Sequence, residues 1–220
     1  MRTDQSGNVV IFILLAVGLF GALAFTFTRG GQQGQGNMNS QQAKIAAQEI
    51  IAYGAQLEKA TNKLLARGCS ETQLNYDHSS FTLSHDNTTA PADGSCDIFG
   101  AAGAGLTQAL VSENVFGLPA TYNMVSSVST IAGTPSTKPE LYWIIEIPGG
   151  SKALVCSEIN SLLGITAALV SNTNTNVPFV GTFAASGNVT DVSLTNLSAG
   201  CHDYSLDTTR KFYFQILIAR

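Results

Sequence analysis

Apolar residues are unevenly distributed along this chain. Residues 9–27, VVIFILLAVGLFGALAFTF, form a run of 19 positions without a charge. At about 1.5 Å rise per residue, a helix of that length spans roughly the 30 Å hydrocarbon core of a bilayer. After Arg29 the pattern dissolves into GGQQGQGNMNS, with four Gly and Met38 as its one apolar residue. Glycine disfavours helix by up to ~1 kcal/mol per position, so a flexible tether of ~20 Å mean span is expected here. Periodicity then returns. Ala43, Ala46, Ile50, Tyr53, Leu57, Ala60 and Leu64 fall at alternating steps of three and four, while Lys44, Glu49, Glu58, Lys59 and Lys63 mostly face elsewhere. This predicts an amphipathic helix, capped by Ser40 and stopped at Gly68, whose stripe packs on the protein's own sheet or on neighbouring subunits.

Beyond Cys69 the spacing shortens to that of strands and turns. Leu74, Tyr76, Phe81 and Leu83 predict strands around a polar turn, and TTAPADGS predicts a loop. The run ELYWIIEIPGG, residues 140–150, is rich in β-branched and aromatic residues and reads as a central strand closed by Pro148-Gly149-Gly150. SKALVCSEINSLLGI reads as a helix with Leu154, Val155, Ile159, Leu162 and Leu163 on its apolar side and Gly164 as its exit. Residues 170–199 are rich in Asn, Thr, Ser and Gly and predict an exposed loop or weak hairpin. The run KFYFQILIAR, residues 211–220, reads as a strand whose alternation is blurred by burial on both faces. The fold class expected is α+β: an N-terminal transmembrane helix, a Gly-rich break, and an amphipathic helix packed on an antiparallel sheet.

Composition narrows the functional classes. The chain has 220 residues, enough for one ordinary domain, and carries 12% charged residues with a net charge of −4. No Lys/Arg cluster is present, so nucleic acid and anionic lipid headgroups are not expected partners. Cys69, Cys96, Cys156 and Cys201 lie far apart and form no Cys-x-x-Cys pair, which argues against zinc and for two disulfides in an oxidising compartment. Pairing Cys69 with Cys96 and Cys156 with Cys201 closes one loop in each half and is favoured, although the sequence leaves the other two connectivities open.

The apolar run differs from a secretory signal, whose apolar part covers ~7–15 residues behind a basic start and ahead of an Ala-x-Ala-like cut. Here Arg2 is opposed by Asp4, and Thr26-Phe27-Thr28-Arg29 is a poor cleavage site. Retention as an anchor is expected. Arg2 and Arg29 flank it on opposite sides, so the cysteines decide the orientation, with the C-terminal domain outside. Gly18 and Gly21, near Ala16, Ala22 and Ala24, supply small surfaces where another helix could approach closely.

Candidate chemistry is sparse. The sequence contains no His-Glu-x-x-His, Gly-x-Ser-x-Gly or Gly-x-x-x-x-Gly-Lys motif. FGAAGAG, residues 99–105, resembles a phosphate-cradling turn, but Gln108 stands where the third glycine belongs. A hairpin could gather Asp77, His78, His85 and Asp86 around a metal, yet their spacing does not demand one, and solvated turn residues are the simpler reading. Cys201-His202-Asp203 would place Cys and His on opposite faces of a strand, which argues against a nucleophile and its base. Asn87-Thr88-Thr89, Asn188-Val189-Thr190 and Asn196-Leu197-Ser198 match the N-glycosylation sequon, a frequent coincidence in an Asn/Thr-rich chain. Catalytic, cofactor and metal sites are not expected.

The order of parts is a short polar leader ending in Gly7, a hydrophobic helix, an amphipathic helix and a disulfide-bearing head. In that layout the whole chain resembles the type IV pilin and pseudopilin superfamily of bacteria. The nearest local similarity is IPGGSKALVCSEINSLLGI with the distant Cys201, which looks like the head of type IVB pilins. The resemblance implies a leader or cytoplasmic tail over residues 1–7, a transmembrane or filament-core helix over 8–28, a Gly/Gln-rich segment over 29–39 and an extracytoplasmic domain over 40–220. It implies cleavage between Gly7 and Asn8 by a prepilin peptidase, anchoring in the bacterial inner membrane, and assembly with copies of itself or related subunits into an extracellular filament. Two positions depart from the family. Phe12 stands where a glutamate usually pairs with a neighbour's amino terminus, and Asn8 replaces the usual Phe or Met. Loss of that glutamate resembles minor, tip-located subunits. Two other readings are a single-pass envelope or virion membrane protein displaying a binding head, and a membrane-anchored enzyme with an unrecognised site.

Overall fold

The computed structural model describes residues 40–79, 84–108, 121–129, 139–171, 178–183, 188–189 and 196–220. All lie in the second of two units into which the chain divides, Met1–Met38 and Asn39–Arg220. Helix α1, Ser40–Ala66, buries all seven positions of the expected stripe, and Ala47, Gly54 and Thr61 widen it. The helix stops because Gly68 takes φ +100°, a conformation that side chains resist. The Gly68 N–H donates to Leu65 O at 3.0 Å and the Cys69 N–H to Leu64 O at 3.1 Å, which satisfies two carbonyls of the last turn.

The sheet has six strands: β1 Thr121–Ser129, β2 Pro139–Glu146, β3 Val170–Ser171, β4 Asn188–Val189, β5 Ala199–Tyr204 and β6 Asp207–Ile218. Their order is β3-β5-β6-β2-β1-β4. The four central strands are antiparallel as expected, while β3 and β4 are two-residue parallel pairs at the edges. Strand β2 is central, lying between β1 and β6. Residues 212–218 of β6 are all buried, which accounts for the blurred alternation of that run. One face carries Tyr142, Ile144, Phe212, Phe214 and Ile216 against Leu169. The opposite face turns Trp143, Tyr213 and Gln215 toward α1.

Contact between α1 and the sheet is close and aromatic. The Trp143 ring meets Tyr53 of α1 edge-on at 5.3 Å and Tyr213 at 5.7 Å between centroids. Such pairs add about 0.5–1.5 kcal/mol beyond the area they bury. Gly54 makes the approach possible, since a Cβ there would sit 2.9 Å from Tyr213 Oη and 3.3 Å from Trp143 Cζ3. The stripe of α1 thus meets the protein's own sheet at Tyr53 and Gly54, and α1 packs on α2 as well.

Helix α2, Lys152–Leu162, forms where expected, but of its expected apolar side only Val155 and Ile159 are buried while Leu154 and Leu162 are exposed, and Gly164 at φ +73° releases the chain. Cys156 and Asn160 lie one turn apart and both reach Cys201 of β5. Cys156 is bonded to Cys201, Asn160 Nδ2 donates to Cys201 O at 2.7 Å, and the Cys201 N–H donates to Asn160 Oδ1 at 2.8 Å. The side-chain amide thus occupies a sheet edge that β3 leaves uncovered at this residue.

Between Cys69 and Gly105 the structure departs from the expected strands. Leu74 and Tyr76 are buried, but Glu71–Gln73 is a 3₁₀ turn and Asn75 makes a single bridge with Asp97. The cause is competition from side chains. Asn87 Nδ2 donates to both Thr72 O and Leu74 O at 2.8 Å, and Thr89 Oγ1 donates to Thr72 O at 2.6 Å, so these carbonyls are taken from any ladder. Phe81 and Leu83 lie outside the described residues. A disulfide between Cys69 and Cys96 fastens this segment to the end of α1. Both pairings are those favoured from the sequence.

Gly54→Val should lower stability by about 2 kcal/mol or more through overpacking against Tyr213, despite a gain in helix propensity, as read by urea denaturation. The double substitution Cys156→Ser, Cys201→Ser should cost about 4 kcal/mol on the chain-entropy scale. The same assay reads it.

Candidate functional site

Gly7, Asn8, Phe12, Gly18 and Gly21, with the apolar run of residues 9–27, lie outside the described residues. Among the described residues no helix is long and apolar enough to cross a membrane. Other candidates are placed. Asp77 Oδ1 accepts the His85 backbone N–H at 2.9 Å, whereas the His78 ring packs edge-on against Phe99 at 5.3 Å. Among the described residues no three of His, Cys, Asp and Glu gather as a metal site would require. Cys201 faces α2 in its disulfide, and His202 turns to the other side of the sheet, where it stacks on Phe212 at 5.9 Å. A thiolate–imidazole pair is thereby ruled out at these two residues.

The FGAAGAG turn is folded around Asp97. A Cβ at Gly103 would overlap the Asp97 carbonyl, and the Gly103 and Ala104 carbonyls accept Arg67 Nη1 at 2.8 Å and Lys63 Nζ at 2.9 Å. Its carbonyls point at cations of α1, the reverse of a phosphate cradle. Among the sequons, Asn87 is closed to modification because its amide nitrogen holds two backbone carbonyls in a buried position.

What sequence reading missed is an open groove of about 470 Å³ between the second half of α1, the 3₁₀ turn and the end of β6. Glu58, Asn62 and Leu65 are spaced four and three apart, which puts them on one side of α1. Across from them stand Glu71, Asn196 and Ser198. The β5–β6 ladder opens the groove by ending early. Its last partners are Ala199 and Gln215, followed by one bond from the Ile216 N–H to Ser198 O at 2.8 Å. Asn196 turns the chain at φ +69°, a left-handed conformation that Asn tolerates.

Both carboxylates of the groove are held by one oxygen. Glu58 Oε2 accepts Gln215 Nε2 at 2.9 Å, and Gln215 Oε1 in turn accepts the Tyr213 hydroxyl at 2.9 Å. Glu71 Oε2 meets Arg220 Nε at 3.1 Å, and the Arg220 guanidinium lies over the Phe183 ring at 4.3 Å. Burial pushes the Tyr213 hydroxyl well above the usual tyrosine range, with the Glu58 charge adding to it. Tyr76 is raised in the same way by complete burial, partly offset by its bond to Thr61 Oγ1 at 2.8 Å. Neither His nor Cys lines the groove. It offers a ligand carboxylate, carboxamide and hydroxyl groups beside the apolar Leu65, Ile216, Leu217, Ile218 and Ala219.

No protein-family model, curated protein or solved structure matches the chain.

The two raised tyrosines give a pH dependence. The fold keeps both phenols neutral, whereas the unfolded chain ionises them near pH 10, so the unfolded state loses protons first as pH rises. Their contribution is complete below about pH 10 and is lost progressively above it. Phenolate absorbance of these two residues should therefore appear only together with loss of circular dichroism. Tyr213→Phe should remove one phenolate from that late step.

Proposed function

We propose that this protein is a structural subunit of a bacterial surface filament, a major or minor pilin-like protein assembled through its N-terminal hydrophobic helix. The observation that carries the reading is the joining of two parts by one short stretch of chain. An uncharged run of 19 residues, long enough to cross a bilayer, precedes a helix whose apolar stripe is buried in a disulfide-bonded α+β head. Two disulfides suit an extracytoplasmic head, because a reducing cytosol would keep the thiols free. Residues 8–28 would bundle with the same segment of neighbouring subunits, with Gly18 and Gly21 allowing close approach, and residues 29–39 would tether the head. A prepilin peptidase would release residues 1–7.

Phe12 favours a second reading. Without a carboxylate at that place, no ion pair to a neighbour's new amino terminus can form, and the segment serves equally as the anchor of a single-pass envelope or virion protein displaying the head. The mature amino terminus separates the two. Produced as the full chain in a bacterium that carries a prepilin peptidase, the protein should begin at Asn8 by intact mass and appear in the sheared filament fraction. An intact Met1, with all the protein in the membrane fraction, would falsify the filament reading.

A further inference from the structure

Beyond any role in assembly, we propose that the groove beside α1 is a binding site for a neutral saccharide. Its size, about 470 Å³, falls in the range of small-molecule sites, and five of its ten lining residues carry hydrogen-bonding side chains. Glu58 and Glu71 are each fixed through one oxygen, which leaves the other as an acceptor at a set position. Asn62 and Asn196 each offer a donor and an acceptor, and the Ser198 hydroxyl can serve as either. Vicinal hydroxyls require that mixture of fixed acceptors and bifunctional amides. Leu65, with residues 216–219, supplies an apolar surface for the carbon-bound hydrogens of a ring.

The electrostatics favour a neutral ligand over an amine. Glu71 already has Arg220 as its counter-ion, and Glu58 is engaged by the Gln215 amide, itself tied to Tyr213. The groove therefore presents a smaller net charge than its two carboxylates imply. Cations are correspondingly less attracted. Support behind the first layer is also in place. Tyr213, Gln215 and Glu58 form a chain of bonds from the buried helix–sheet interface to the groove, so the acceptor is positioned before any ligand arrives.

The test uses the full chain in a phosphocholine detergent, which avoids sugar headgroups, with glucose, galactose and N-acetylglucosamine offered singly at millimolar concentrations. Saturation-transfer NMR reads binding. Asn62→Ala lies on the exposed side of α1, and Asn196→Gly suits the left-handed backbone, so both variants should fold, as checked by unchanged thermal unfolding. At least one saccharide should give a signal in the parent protein, and the double variant should weaken that binding about tenfold or more. The proposal is overturned by absence of signal from all three sugars, by equal binding in the double variant, or by a response to spermidine with none to the saccharides.

Discussion

The head depends on how closely α1 can approach its sheet. Gly54 removes the side chain that would separate the helix from Tyr213 and Trp143, and the aromatic contacts at 5.3 and 5.7 Å follow from that approach. Interiors pack at crystal-like density, so one missing Cβ in the middle of the interface sets the position of everything against it. The Tyr213 hydroxyl is held where it can reach Gln215, and Gln215 where it can reach Glu58. A packing constraint in the core thus fixes a carboxylate on the surface. The same contact makes the tyrosine hydroxyl hard to ionise, since burial that excludes water also disfavours charge.

The segment after α1 and helix α2 bury few apolar side chains and are fastened covalently. The segment 69–105 contains no strand of more than a bridge residue among those described, and Cys69–Cys96 ties it to the end of α1. Helix α2 has three buried residues, and one of them, Cys156, is its bond to β5. In each case the disulfide sits beside a second restraint. Lys63 and Arg67 grip the 103–104 carbonyls next to the first, and Asn160 brackets Cys201 next to the second. Cross-links of this kind act by limiting the unfolded chain, whereas the polar clamps select one native geometry.

The long elements were legible in sequence because each carries its period within a continuous stretch. Alternate steps of three and four revealed α1, and the dense apolar runs at 140–147 and 211–218 revealed β2 and β6. The local disulfide pairing was also legible. Leu74 and Tyr76 misled because burial alone gives them a strand's spacing, while the Thr72 and Leu74 carbonyls are taken by the Asn87 and Thr89 side chains, more than ten residues away in a loop. The parallel edge strands are too short to leave a period. The groove was invisible for another reason. Glu58, Asn62, Glu71, Asn196 and Ser198 are ordinary surface residues one by one, and only the early end of the β5–β6 ladder brings them together. Chemistry built from such residues needs tertiary placement before it can be recognised.

Burial of the α1 stripe also constrains how the head could meet a neighbour. Two destinations were open for Ala43 to Leu64, the protein's own sheet or another subunit, and all seven positions are buried, with α1 meeting both α2 and β6. The outer side of α1 that remains carries Gln41, Lys44, Gln48, Glu49, Gln56 and Lys59, with Ile45 at 55% exposure as its most exposed large apolar residue. A face of that composition cannot drive association by apolar burial, and exposed ion pairs contribute little each.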